Sequence, residues 1–408
     1  VKLRDWVLLT PIFLRCLGKL PLRHLLYLAK QFRNEQPKRH ETGLHVNAFF
    51  PPYPSKAFDR FLDSVIERRR VPYSVYFAVT DRCPFDCPHC SYGMHQAGEM
   101  GTEEAVEVIE QIKSLGTPTI GFTGGEPLLR DDIVELVRAC GDELASVMFT
   151  TGCGLDSQLA DELRRAGLGC IMIGMESSDA GEHDAVRGVE GSFEQAIRTV
   201  ELSRSAGLYT AVSTVATREK VRSGQIEKLA RLAGEYGVHE FRVLEPVPTG
   251  SFCKQENEVL GSEESERLAD FHKRWNRRNK GPAVSGFSYL ESDEMFGCGA
   301  GFHHLFIDAV GNVCPCDLTP LSFGNVLDES LESIWLRMGE TFELPRCGCL
   351  MKDICGQTYV LKNAQELPID PERSLKVCEA VKKDGPLPKV YKNLLKGRKP
   401  VSRPENRQ

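Results

Sequence analysis

From Tyr73 to Leu244 the sequence repeats one unit, a short run of β-formers followed by a stretch with helical spacing, and no other feature restricts the fold as much. The β-rich runs are Tyr73 to Thr80, Thr119 to Thr123, Ser146 to Thr151, Cys170 to Met175, Tyr209 to Val215 and Glu240 to Leu244. Helical spacing fills the intervals at Thr102 to Leu115, Asp131 to Cys140, Ser157 to Ala166, Ser192 to Ala206 and Gln225 to Tyr236. Gly116, Gly167, Gly207 and Gly237 stand where helix C-caps favour glycine. Strands alternating with helices predict an α/β fold: a parallel sheet with right-handed crossovers, either open or curled into a full or partial barrel. In such folds the loops after the strands gather at one face, where ligands bind.

The unusual residues fall in those loops. Asp81 to Cys90 follows the first strand, Gly124 to Pro127 the second, Thr151-Gly152 the third and Glu176-Ser177 the fourth; Thr214 to Thr217 closes the fifth, and Glu245 to Gly250 follows the sixth. The first loop carries CxxxCxxC, with Cys83, Cys87 and Cys90 as soft ligands suited to an iron–sulfur cluster or zinc. A closed 4Fe–4S cluster takes four cysteines, so three from one loop leave one iron able to bind something else. The competing reading is a structural zinc site completed by His89 or a remote residue. Zinc ribbons usually pair CxxC knuckles, however, and would not account for the glycine-rich loop after the next strand.

Composition narrows the rest. The chain has 408 residues, 41% hydrophobic and 26% charged, a balance that excludes disorder, collagen and a multi-pass membrane protein. Its 15 cysteines are too dilute for a disulfide scaffold, and metal or cluster ligation leads. The apolar stretch Trp6 to Phe32 is broken by Pro11, Arg15, Lys19, Pro21 and Arg23 and lacks a cleavage site, so a reducing, cytoplasmic setting is expected. Its longest charge-free run, Trp6 to Leu14, falls far short of the ~20 residues of a spanning helix. Residues 1–72 hold 14 Lys/Arg against 6 Asp/Glu and residues 381–408 hold 9 against 2, which leaves an acidic body with two basic ends. That distribution argues against nucleic acid. Leu8 to Leu17 and Leu22 to Phe32 read as apolar helices interleaved with basic residues, either a cap on the core or a peripheral contact with anionic lipid.

Seven cysteines cluster near the C-terminus: Cys298, Cys314, Cys316, Cys347, Cys349, Cys355 and Cys378. Phe306 to Cys316 reads as a hairpin turning at Gly311. Cys153 and Cys253 lie in loops at the ligand face, where a small buried hydrophobe is the ordinary role of a free cysteine; Cys16, Cys140 and Cys170 read as core. His303-His304 reads as a solvated or hydrogen-bonded pair.

On Cys83, Cys87, Cys90 and the Gly124 to Pro127 loop, the chain resembles the radical S-adenosylmethionine (radical SAM) enzymes over roughly residues 73–250. The resemblance implies a partial (β/α)6 TIM-like barrel. It also implies a 4Fe–4S cluster on the three cysteines, with SAM chelating the open iron. One-electron reduction cleaves SAM to methionine and a 5'-deoxyadenosyl radical that abstracts hydrogen from a substrate. Residue by residue, it places His89 beside the adenine, Gly124, Gly125, Glu126 and Pro127 at the SAM amino group, Glu176 and Ser177 along the cofactor, and Arg187 at its carboxylate. Glycine permits close backbone approach and a carboxylate accepts from an ammonium, as those roles require.

Cys298, then Gly311 and Cys316, is similar to the first half of the SPASM pattern, a C-terminal extension that binds auxiliary 4Fe–4S clusters. The second half departs from it: Cys347 and Cys349 are one residue closer than usual, and Tyr359 stands where a cysteine is expected. Two groupings follow, Cys298 with Cys314 and Cys316, and Cys347 with Cys349, Cys355 and Cys378; a single auxiliary cluster, as in twitch domains, is the alternative. Expected boundaries are 1–72 for a basic helical segment, 73–250 for the core, 251–296 for a helical linker, 297–380 for the cluster domain and 381–408 for a basic tail. Family frequency favours a peptide or protein side chain as substrate; a lipid or small metabolite is the alternative, and an iron–sulfur electron carrier the alternative of another class. A flavodoxin or ferredoxin is the expected electron donor.

Overall fold

The computed structural model describes residues 3–93, 95, 97–254, 258–355, 367–381 and 386–395. After a small hairpin of β1 (Lys38–His40) and β2 (Gly43–His45), β3 (Ser74–Thr80), β4 (Thr119–Gly124), β5 (Ala145–Thr150), β6 (Cys170–Gly174), β7 (Tyr209–Val215) and β8 (Glu240–Leu244) pair in parallel in chain order. All six expected strands are present to within one residue at each end. Helices cross between them and cover the sheet, so runs such as Ile171-Met172-Ile173 are buried on both faces. In the helix Thr102–Ser114, Val108, Ile109 and Ile112 are buried against the sheet, each worth about 1.5–3 kcal/mol. Gly167 ends the helix Ser157–Ala166 at φ 103°, a conformation that a side chain would strain.

Two further strands lengthen this sheet. β9 (Ala283–Gly286) adds in parallel to β8, inside the stretch expected to be a helical linker, and β10 (His304–Ile307) adds in parallel to β3. At four residues each, they carry little periodicity, and a partner distant in sequence makes them strands. β11 (Val313–Cys314) pairs antiparallel with β10 across the turn at Gly311, the hairpin that the sequence predicts. Among the described residues the nine strands of this sheet run β11-β10-β3-β4-β5-β6-β7-β8-β9 and end without joining, a partial barrel rather than a closed one.

Helices α1 (Leu3–Cys16), α2 (Leu22–Gln31) and α3 (Lys56–Glu67) precede the barrel. Cys16, Leu20, Leu25 and Leu62 form one apolar cluster with Phe302 and with Tyr391, Leu394 and Leu395 of the helix Lys389–Leu395. Among the described residues, no helix is long and apolar enough to cross a membrane.

Candidate active site

The loops at the C-terminal ends of the strands enclose a cavity of about 1290 Å³. Cys83, Cys87 and Cys90 line it, as do Gly124 and Gly125. Cys83 is exposed, Cys90 half-buried and Cys87 buried. Burial pushes the Cys87 thiol up, and the Arg187 guanidinium opposes this, donating from Nη1 to Cys87 Sγ at 3.4 Å. Gly125 lies against the Asp81 and Arg82 carbonyls so closely that no side chain fits, and its N–H donates to Thr80 O at 2.8 Å.

Behind this rim lies a buried ion cluster. Glu176 is 3% exposed; Oε1 accepts from Arg187 Nη2 at 3.1 Å and lies 3.3 Å from His89 Nε2, while Oε2 accepts from Lys220 Nζ at 2.7 Å. Burial alone would raise its pKa, but Lys220, His89 and Arg187 hold the carboxyl well below the usual range. Such a group stabilises the fold fully above its unfolded pKa of about 4.3, and that contribution is lost as pH falls through the lowered folded value. Glu176→Ala is expected to cost about 3–5 kcal/mol in a denaturant titration, because it leaves Arg187 and Lys220 uncompensated. A loss below about 1 kcal/mol would mean that water reaches those cations. Lys220 escaped the sequence reading because nothing local marks it as a partner of Glu176.

Three of the expected site residues stand off the cavity wall. Glu126 is fully buried and does not line the cavity; it accepts from Leu128 N (3.1 Å), Thr150 Oγ1 (2.6 Å), Thr151 N (2.7 Å) and Thr151 Oγ1 (2.5 Å). Its oxygens thus brace the β4 loop to the β5 loop. Pro127 opens a buried 3₁₀ turn beside it and is also absent from the lining. The Ser177 hydroxyl donates to Glu182 Oε2 at 2.7 Å and lies away from the cavity. His89, Glu176 and Arg187 do line it.

The C-terminal cysteines are regrouped. Cys298, Cys316 and Cys349 line the same cavity together with Glu291 and Asp317. Burial raises both the Cys298 and the Cys349 thiols, Glu291 adding to it for each and Cys298 for Cys349, and burial with Asp317 and Glu245 nearby pushes Glu291 up to about 8. Ligand atoms of His304, Cys316 and Asp317 lie within 4.8 Å of one another. His304 Nε2 sits 3.3 Å from Asp317 Oδ1, and its Nδ1 2.8 Å from Ser74 Oγ. Asp317 escaped the sequence reading although it directly follows a candidate ligand.

Cys314 is not in this group: fully buried in β11, it packs with Ala78 and Phe306. The chain leaves the strand at Pro315, so Cys314 and Cys316 no longer share a face. Of the expected second set, the described members Cys347, Cys349 and Cys378 stand in different surroundings. Cys347 Sγ donates to Pro386 O at 3.0 Å, Cys378 packs in the main core, and Cys349 belongs with Cys298. The side chains of Cys355 and Cys253 and all of Tyr359 lie outside the described residues.

The fit to the implied groups can be judged on these residues. Three thiols on one loop, beside the buried guanidinium of Arg187 whose Nε has no partner among the described residues, suit a thiolate-bound cluster and an anionic cofactor group.

Comparison with known proteins agrees. Residues 77–233 match the radical SAM superfamily and residues 298–355 the SPASM iron–sulfur cluster-binding domain. The chain is 30% identical over 317 residues to the AdoMet-dependent heme synthase of Oleidesulfovibrio alaskensis, covering 69% of this chain and 81% of that one. It is 29% identical over 279 residues to the PqqA peptide cyclase of Gluconobacter oxydans, covering 65% and 76%. Among solved structures, Streptococcus suis SuiB bound to its precursor peptide SuiA superposes with a TM-score of 0.56 at 17% identity over 68% of each chain. Native anSMEcpe with bound AdoMet gives 0.54 at 16% identity over 79% of this chain and 96% of that one. With its cysteine loop at the mouth of a partial barrel and a second cysteine group on the same cavity, the chain belongs to the radical SAM superfamily and carries a SPASM iron–sulfur domain.

Proposed function

We propose that the chain uses the Cys83, Cys87 and Cys90 site to abstract hydrogen from a largely apolar organic substrate held in the same cavity. The single observation behind this reading is the cavity itself. At about 1290 Å³ it exceeds the ~300–1,000 Å³ of a usual small-molecule site, which leaves space for a substrate beside the cofactor. Beyond the cysteine loop its walls are aromatic and aliphatic, with Phe49, Phe149, Met172 and Phe287 prominent.

When bound, the cluster and SAM supply the electron and the 5'-deoxyadenosyl radical. This chain's own residues do the rest. Cys83, Cys87 and Cys90 hold the cluster, the Gly124-Gly125 backbone lets the cofactor approach, and Arg187 offers its free Nε to an anionic group. Glu176 is a positioning residue, fixing Arg187, Lys220 and His89. Glu126 keeps the second and third loops in register. The enclosing walls exclude water from a reactive radical.

A peptide side chain is the second reading, favoured by the PqqA peptide cyclase and by SuiB bound to SuiA. The two separate in one experiment. Anaerobically reconstituted enzyme with dithionite and SAM is given either an organic-solvent extract or a peptide fraction of cells, and 5'-deoxyadenosine is measured. The proposal expects the extract to stimulate release; stimulation by the peptide fraction alone would replace it with the second reading.

A further inference from the structure

The cavity is built like an amphiphile. Toward the cysteines it is polar, with Arg242, Glu245, Glu291 and Asp317 on its wall. Arg242 is 3% exposed, its guanidinium 4.5 Å and 4.6 Å from the ring centres of Phe49 and Phe287. One Nη donates to Tyr76 Oη at 2.9 Å, and the buried Nε has no partner among the described residues. Its other Nη reaches Met172 Sδ at 3.8 Å, and Asp317 and Glu291 lie within its field; the unsatisfied Nε is the donor left to offer a charged hydrogen bond to an anionic group. The opposite end is lined by Leu9, Ile12, Phe13, Leu25 and Leu28 of α1 and α2 and by Leu394 of the C-terminal helix.

Around that apolar end α2 meets the helix Lys389–Leu395. Arg23 of α2 donates to the carbonyls of Lys392 (3.1 Å) and Asn393 (3.2 Å). Between Asp5 and Glu35 the sequence has no acidic residue but carries Arg15, Lys19, Arg23, Lys30 and Arg33. Arg15 is held by Asp59 and Asp63 of α3, whereas Lys19, Arg23, Lys30, Arg33 and Lys392 are exposed. Among them Leu14, Leu17, Leu22 and Leu26 point outward, Leu14 at 61% exposure. Outward leucines among cations match an anionic bilayer surface, where each basic residue is worth about 1 kcal/mol.

From these features we infer that the cavity binds an anionic membrane amphiphile, head group on Arg242 and hydrocarbon tail between α1, α2 and the C-terminal helix, while the surrounding basic face docks on an anionic bilayer. The inference rests on the proposed function and names its substrate class. In this orientation the head, not the tail, meets the radical site, and the tail lies toward the membrane side.

The test uses the full reconstituted chain. Co-sedimentation with phosphatidylglycerol vesicles should exceed that with phosphatidylcholine vesicles by at least about tenfold and fall as salt is added. Leu22→Glu with Leu26→Glu should remove most of it with an unchanged circular dichroism spectrum. Lysophosphatidylglycerol and a monoacylglycerol of the same chain length then separate head from tail, by calorimetry below their micelle concentrations. Arg242→Met should weaken the first about tenfold or more and leave the second unchanged, as expected for a lost charged hydrogen bond. Leu28→Trp, which narrows the tail end, should weaken both. Equal binding to the two vesicles, binding of acidic peptides but not of vesicles, or equal loss of both ligands in Arg242→Met would overturn the inference. SAM cleavage measured without lipid reports on the proposed function separately, so either failure is distinguishable from the other.

Discussion

The triple replacement of Cys83, Cys87 and Cys90 by alanine is expected to abolish 5'-deoxyadenosine release under dithionite and SAM and to lower iron by about four atoms per chain. These thiols are the protein's whole contribution to the cofactor-binding cluster in the proposed function, so no partial activity should survive. The fold should persist, because Cys83 is exposed and Cys90 half-buried, leaving only Cys87 as a packing loss. Circular dichroism and auxiliary-cluster spectra in the same sample check this. Unchanged cleavage in the triple variant would remove the catalytic assignment altogether.

The second large effect separates two cysteines only two positions apart. Cys316→Ala is expected to cost about four irons per chain and one set of Mössbauer signals, and Cys298→Ala or Cys349→Ala should do the same. Cys314→Ala should leave iron unchanged and cost only the roughly 1 kcal/mol of a small core truncation. The contrast follows from placement: Cys316 faces the cavity beside Cys298 and Cys349, whereas Cys314 packs with Ala78 and Phe306. Loss of a cluster in Cys314→Ala would restore the grouping that the sequence suggests.

What the sequence makes legible is local. Runs such as Ile171-Met172-Ile173 declare strands by composition, and Gly167 declares a helix end by what only glycine tolerates. The CxxxCxxC loop is readable for the same reason, since its three ligands lie within eight residues. Contacts between distant segments are not readable. Glu126 finds its donors in Thr150 and Thr151, Glu176 finds Lys220, and Cys298 finds Cys349. The first two pairings are made by sheet order, which brings loops of neighbouring strands together without any mark in the loops themselves, and the third by a bridge of Cys298 to Arg346. Thus the motif around Glu126 is readable, whereas the donors that hold it are not. The contact of α2 with the helix Lys389–Leu395 is of this kind too, because the two are more than 350 residues apart in sequence.

The parallel pairing of β10 with β3 has a practical consequence for engineering. β3 carries the Cys83 loop at its end, and β10 leads through its turn to Cys316, so the two metal-binding loops grow from adjacent rungs of one ladder. Cutting the chain near Gly297 to obtain a minimal core would strip β3 of a hydrogen-bonded neighbour and bare a buried, apolar edge prone to intermolecular pairing. Transplanting the C-terminal region onto another barrel would have to recreate the register His304 with Ser74 through Ile307 with Phe77 before either cysteine group could be correctly spaced. The two halves are better treated as one indivisible cassette than as interchangeable parts.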